Sequence, residues 1–311
     1  MNLKMKLTVP ALVTGIVALA VSYGVLTYSI DNLTRIQFEE VVEGALKNIE
    51  RKVDVVLATN LLSASALANH SKIEDLYITK SVLQIKEFYE TEKANFKRDT
   101  GTSDFDIHFH LPPAISLFRS GSEKRGDDLS SFRHDILRVH KTKIGTRGMS
   151  MGVQGFMARG ISPIIRFGEY VGSVEKISSV DDMIAPILKA IHADFDMYAT
   201  EESVKFFGDQ TKVKQSPLSD YKFLASSPVS EMVLGTVTQK EIEAAKAKRI
   251  ILDRGDYVIG LISFKDYTGE ELGVGAVTIN KTTQPMYKEL VSLKRVILIV
   301  MIMIILVLVG I

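Results

Sequence analysis

The chain contains no cysteine and no tryptophan. Without cysteine there is no disulfide, no thiolate metal site and no cysteine nucleophile. An oxidising compartment permits disulfides but does not demand them, so a periplasmic location stays open. An excess of charge is missing too. The formal net charge is +1, so nothing pulls the chain toward nucleic acid by bulk electrostatics. Catalytic signatures are also missing. The sequence has no Walker loop, no Rossmann fingerprint and no His-Glu-x-x-His. Its serines lie in loops with no matched base near in sequence. The reading is therefore not an enzyme, with no cofactor. Asn-x-Ser/Thr triplets at Asn32, Asn69 and Asn280 are too common by chance to argue for glycosylation.

What is present begins at the ends. Leu7 to Ile30 carry no charge. A bilayer core of ~30 Å needs about 20 residues of helix. Lys4 and Lys6 precede the run, which puts that end in the cytoplasm by the positive-inside rule. A cleaved signal peptide is the competing reading, with Ala18 to Ala20 as the cleavage site, but the apolar run continues well past it. Val296 to Ile311 form a second apolar run behind Lys294 and Arg295. It is short for a full span, so a truncated second helix is expected at 295–311, with a cytoplasmic portion beyond it. Two spans put residues 31–294 outside the cytoplasm, and membrane is the first expected partner.

Between the spans, residues 32–67 read as one long helix. Val42, Leu46, Ile49, Val53 and Val56 step by four and three, a seam with heptad spacing. The seam packs on its own domain, pairs with its copy in a parallel homodimer, or does both. From Thr102 the period becomes two. Phe105, Ile107 and Phe109 face one way, and Asp106, His108 and His110 the other. Leu111-Pro112-Pro113-Ala114 reads as a turn, and Ile115 to Arg119 resumes the strand. The Gly126-Asp127-Asp128 turn is expected to cap a short helix carrying Leu129, Phe132, Ile136 and Leu137. A weak repeat follows. Ile161 to Ile177 resembles Gly260 to Ile279, with Gly172 matching Gly273. Each copy is a strand, a polar turn and a second strand leading into a helix.

These motifs resemble a known family. "HFHLPPAISLFR" (His108–Arg119), "GDDLSSFR" (Gly126–Arg133), "RGISPI" (Arg159–Ile164) and "GEYVGSVE" (Gly168–Glu175) are similar to the double Cache sensors of bacterial receptors. The match is to the double sensory domain of two-component and chemotaxis proteins. The resemblance implies an α+β fold, with a long N-terminal helix and two stacked PAS-like (Cache) modules built on antiparallel sheets. It implies a membrane-distal module at 69–190 and a membrane-proximal one at 191–294, above the helix of 31–68 and between spans at 7–30 and 295–311. It also implies the periplasmic sensor of an inner-membrane chemoreceptor. The alternatives are a sensor kinase, a diguanylate cyclase, or a membrane-anchored binding protein without output. Two departures stand out. Gly148-Met149-Ser150-Met151-Gly152 lacks the acid of a Gly-x-Glu-x-Gly pattern, and the tryptophan of the amino-acid-binding motif in other double Cache sensors is absent.

Asp106, His108 and His110 share a strand face and could chelate zinc, but a polar pocket or solvent explains the histidines better, so no metal is expected. Arg119, Arg133 and Arg159 stand among apolar neighbours. A guanidinium fork binds carboxylate or phosphate bidentately. The candidate ligand-binding residues are therefore His108, His110, Arg119, Asp127, Arg133 and Arg159, for a small anionic or polar molecule. The competing reading pairs each arginine with a local acid, Asp127, Asp128 or Glu175.

Overall fold

The computed structural model describes residues 3–310 apart from Gln154 and Phe206. Helix α1 (Leu3–Ala68) is unbroken over 66 residues. It joins the first apolar run to the predicted long helix and measures about 100 Å at 1.5 Å per residue. Two shorter helices, α2 (Ile73–Thr79) and α3 (Val82–Thr100), follow. Ser81 caps α3 through its side chain, and Gly101 ends it in the left-handed region at φ 74°.

The first sheet holds β1 (Asp106–Leu111), β2 (Ile115–Arg119), β3 (Thr146–Gly152), β4 (Gly155–Arg166) and β5 (Glu169–Ser179), in the antiparallel order β2-β1-β5-β4-β3. Helix α4 (His134–Thr142) lies between β2 and β3 in sequence. This corrects the expected helix start. Leu129 to Phe132 form turns, Asp128 caps only the Ser130 amide, at 2.8 Å, and Arg133 is the N-cap.

Helix α5 (Val180–Ala190) leads to the second sheet. That sheet holds β6 (Asp194–Thr200), β7 (Val213–Gln215), β8 (Tyr221–Leu224), β9 (Ile250–Arg254), β10 (Tyr257–Lys265) and β11 (Glu271–Asn280), in the order β7-β8-β6-β11-β10-β9. Helices α6 (Glu201–Val204), α7 (Pro228–Leu234) and α8 (Gln239–Ala247) come from its connections. Helix α9 (Pro285–Gly310) closes the chain beside α1. Helices α1 and α9 are each long and apolar enough to cross a membrane, and Lys294 of α9 pairs with Asp31 of α1.

Both sheets lie on α1. Gly160 and Gly260 mark the close approaches. A Cβ at Gly160 would meet the Leu61 amide at 2.1 Å, and one at Gly260 would meet Val42 Cγ1 at 2.4 Å. The repeat is visible in the packing as well. A Cβ at Gly172 would sit 2.3 Å from the His110 carbonyl, and one at Gly273 2.3 Å from that of Tyr198.

The heptad seam takes its first alternative. Val42, Leu46 and Ile49 are 0% exposed and Val53 6%. They form one core with Val258, Ile262, Val277 and Ile279 of the second sheet. Burying such side chains contributes about 1.5–3 kcal/mol each, so this face is not free to pair with a second copy. Beyond its first apolar run, α1 leaves Leu33, Ile36, Val41, Val55 and Leu62 exposed.

Candidate functional site

Strand β1 alternates as expected. Ile107 and Phe109 enter the core under α2 and α3, while Asp106, His108 and His110 point to the other face. On neighbouring β5, Glu175 lies directly opposite His108, and Ser173 opposite His110. Strand β4 adds Arg159, and the start of α4 adds Arg133 and Asp135. Ile136 and Val139 of α4 pack on Ala114, Leu129 and Ile161, which roofs this part of the sheet.

The result is a buried charged cluster around Glu175. His108, His110, Arg133, Asp135, Arg159 and Glu175 are all buried. Arg133 grips Glu175 through two bonds, Nη1 to Oε1 at 3.1 Å and Nη2 to Oε2 at 2.5 Å. It also holds Asp135 bidentately, at 2.9 Å for each contact. Arg159 Nη1 donates to Glu175 Oε1 at 3.1 Å, and its Nε donates to Ser150 Oγ at 2.6 Å. His108 bridges Glu175 (3.2 Å) and Ser116 (2.8 Å), and His110 Nδ1 meets Ser173 Oγ at 3.1 Å.

Two guanidiniums face two carboxylates, so the cluster is neutral when both imidazoles are neutral. Burial lowers the pKa of His108 despite Glu175 beside it. Burial lowers that of His110 further, helped by His108 and the two arginines. Burial would raise the Glu175 carboxyl, but Arg133 and Arg159 outweigh it and hold the group well below the usual range. The arginines differ. Burial works against both, yet Asp135 and Glu175 raise Arg133, whereas Arg159, repelled by Arg133, is lowered. Arg159 is the less compensated cation.

The same geometry bears on metal binding. One nitrogen each from His108 and His110 and one oxygen from Glu175 lie within 4.8 Å of one another. A divalent ion there would share Glu175 with two guanidiniums. At ~5 Å and an effective dielectric of ~20, each would repel it by about 7 kcal/mol. The donors therefore serve an ion-paired network rather than a cation site.

A cavity of about 530 Å³ opens beside the cluster. His108, Arg119, Asp127, Arg133 and Arg159 line it, and His110 lies behind the lining. So five of the six candidate residues share one cavity, and the sixth supports it. Each arginine has an acidic partner, as the competing reading had it, although Asp128 is not among them. Arg119 Nη2 meets both Asp127 oxygens, at 3.0 and 2.9 Å. Its Nε is buried without a partner among the described residues. Sequence reasoning found Glu175 only as a possible pairing partner, and it missed Asp135 and Ser150. It also missed a wall from the second sheet's module, where Glu202, Ser203, Tyr267 and Glu270 line the cavity. No local pattern could have signalled that wall, because only tertiary packing brings it there.

Among the described residues, the second module has no such cluster. Where Gly172 matches Gly273, the partners of His110 and Glu175 are Tyr198 and Ala276. Both belong to an apolar core under α7 and α8, with Phe223, Ile259 and Val274.

The sequence matches the model of the family described as double sensory domain of two-component sensor kinase over residues 56–280, and the chain belongs to that family. It is a sensory, non-catalytic domain. No curated protein sequence matches the chain. Among solved structures, the fold is similar to the extracellular domain of a protein described as histidine kinase vpHK1S-Z8. The TM-score is 0.50 at 10% identity, over 81% of this chain and 92% of that one. It is similar to a domain of a sensory box/GGDEF family protein from Vibrio parahaemolyticus, with TM-score 0.50 at 10% identity, over 81% and 97%. The ligand-binding domain of the Campylobacter jejuni chemoreceptor Tlp3, solved with 4-methylisoleucine, gives TM-score 0.45 at 9% identity, over 81% and 92%.

Proposed function

We propose that residues 31–294 are the periplasmic ligand-sensing region of a two-pass inner-membrane chemoreceptor. The membrane-distal module, 69–190, binds a small polar molecule bearing a carboxylate. The proximal module, 191–294, relays the effect to the membrane helices, in a homodimer. One observation carries this reading. The distal sheet has a cavity floored by a neutral ion cluster, and the proximal sheet fills the same place with apolar side chains. Pockets with a few converging polar groups are the usual form of a ligand site. A ligand that prefers one arrangement of the distal module biases the helices by its differential affinity. The same ectodomain would serve a sensor kinase or a diguanylate cyclase, and the coding sequence beyond Ile311 discriminates among them.

Arg119 is the proposed ligand contact, because it stands at the cavity wall with 20% of its side chain exposed. A hydrogen bond to a charged group contributes about 1.5–3 kcal/mol, so Arg119→Ala should weaken binding roughly 10–150-fold. The test is a thermal-shift screen of carboxylates and phosphates on the full chain. The reading stands if a compound raises the wild-type melting temperature and Arg119→Ala, still folded, loses the rise. It falls if that variant responds undiminished.

A further inference from the structure

The proximal sheet carries a polar site of its own, at one end of its apolar core. By the correspondence of Gly172 with Gly273, Asp196 of β6 takes the place of His108. It lies on the face that Tyr198 turns toward α7 and is 2% exposed. Its Oδ1 accepts the Ser226 amide at 2.6 Å. Its Oδ2 is buried with no partner among the described residues. No lysine, arginine or histidine pairs with this carboxylate among the described residues, and burial pushes its pKa above the ordinary value. A buried charge without a counter-charge is costly.

More oxygen atoms converge on the same place. Thr278 of β11 stands directly opposite Asp194, and Ala276 opposite Asp196, so Asp194, Asp196 and Thr278 share one face of the sheet. Thr278 is 5% exposed, and its Oγ1 is a second buried atom without a partner among the described residues. The hydroxyls of Ser226 and Ser230, 3.1 Å apart, face the Asp196 carboxylate. Asp194 and Ser226 are exposed, and the Asp194 carboxylate makes neither ion pair nor hydrogen bond among the described residues. The site therefore has a buried floor and an open mouth.

The chemistry of the donors selects the ligand. All are oxygens, which suit hard cations and not the soft ones that seek nitrogen or sulfur. Two carboxylates balance one divalent charge. Residues two apart on a strand stand ~7 Å apart, a gap that two carboxylates with an ion between them span. Calcium takes about six to eight oxygens in flexible geometry, whereas magnesium demands a near-ideal octahedron and keeps its waters. Carboxylates and hydroxyls drawn from two strands and a loop suit calcium. We infer that Asp194, Asp196 and Thr278, with the hydroxyls of Ser226 and Ser230, form a calcium site in the proximal module. An ion held there ties β6 to the end of β11 that leads to α9. The site is separate from the distal cavity, so its failure leaves the reading of that cavity standing.

The test uses the full chain in phosphatidylcholine nanodiscs, stripped with chelator and titrated with calcium chloride. Binding is read by calorimetry and by thermal melting. The expected result is one calcium per chain, with a dissociation constant of about 10⁻⁴–10⁻³ M, the range of extracellular modules, and a rise in melting temperature. Asp194→Asn, at an exposed position, and Thr278→Val, which keeps the side chain's shape, should each weaken calcium at least tenfold. A merely structural Thr278 would move the melting of the stripped protein and leave the calcium affinity alone. Asp220→Asn, an exposed acid beyond the other end of β6, should bind calcium as the wild type does. The inference is overturned if calcium neither binds nor shifts the melting, or if both site variants bind it undiminished. It is equally overturned if Asp220→Asn weakens calcium as much as they do, or if magnesium or sodium at the same concentration gives the same rise.

Discussion

Glu175→Gln tests the buried cluster most directly. Glutamine keeps the volume and one hydrogen-bonding oxygen but removes the charge. Arg133 retains Asp135, at 2.9 Å. Arg159 loses its carboxylate and keeps only Ser150, so a buried cation is left without an anion. At ~3 Å and an effective dielectric of ~20, each guanidinium loses about 5 kcal/mol of attraction. The lost desolvation of Glu175 returns part of this. Removing one partner of a buried pair typically costs about 3–5 kcal/mol net. At roughly 2–4 °C per kcal/mol for a domain of this size, the melting temperature should fall by about 6–20 °C. The assay is thermal unfolding of the purified chain at neutral pH, followed by circular dichroism. Adding Arg159→Met to Glu175→Gln removes the stranded charge and should restore at least half of the loss. A single variant that melts within 2 °C of wild type would refute the reasoning. A double variant less stable than Glu175→Gln would refute the claim that the stranded charge is the cause.

Acid sensitivity should follow the imidazoles. His110 is held below the ordinary value of 6.5, so below that pH the unfolded chain binds a proton that the folded chain refuses. Stability is then lost as pH falls, by about 1.4 kcal/mol per unit for each such histidine. His110→Gln should flatten that slope by one proton between pH 6.5 and 5, and an unchanged slope in denaturant titrations would count against the assignment. Dimer contacts should follow the exposed face of α1 and not its buried seam. Cysteine at Val55 should cross-link in membranes and cysteine at Ile49 should not, since a disulfide needs Cα atoms within about 7 Å. Silence at Leu33, Ile36, Val41, Val55 and Leu62 together would remove parallel pairing through this helix.

The alternation of β1 was readable because a strand exposes its period directly. Phe109 and His110 differ by one position and point to opposite faces, as the spacing demands. The Pro112-Pro113 turn and the Gly172–Gly273 correspondence were legible for a similar reason, since backbone constraints of turns and close approaches leave residue-type signatures. The heptad seam was legible as apolar periodicity but ambiguous in its partner. A helix face buried on its own sheet and one buried on a second copy have the same spacing. Gly260 is the hint that decides, because it removes the side chain Val42 would otherwise strike. The start of α4 was misplaced because Asp128 does cap a turn, and a cap residue does not encode how many residues it begins. Glu175 was hard to weigh, since a lone acid in an apolar strand can be an edge, a partner or a ligand contact. Only its register opposite His108 makes it the centre of the cluster.

The sheet that carries this cluster is tied to the two apolar helices by two routes of different character. Asn60 is buried near the C-terminal end of α1. It donates to the Ala158 carbonyl at 3.0 Å and accepts from Ser178 Oγ at 3.3 Å. Those residues flank Arg159 on β4 and follow Glu175 on β5, so α1 is fastened to the two strands that hold the buried charges. An unsatisfied amide in that interface would cost about 1–3 kcal/mol, which favours helix and strands moving as one unit. The other route leaves from the proximal module, where β11 leads to α9. Helix α1 thus packs on both sheets, whereas α9 continues from the second sheet alone. A ligand that changes how the cavity beside the first sheet meets the β10–β11 turn should act on α9 through β11, against an α1 that is fastened to both sheets. The Asp31–Lys294 pair lies across that boundary, where a relative shift of the helices would first be felt.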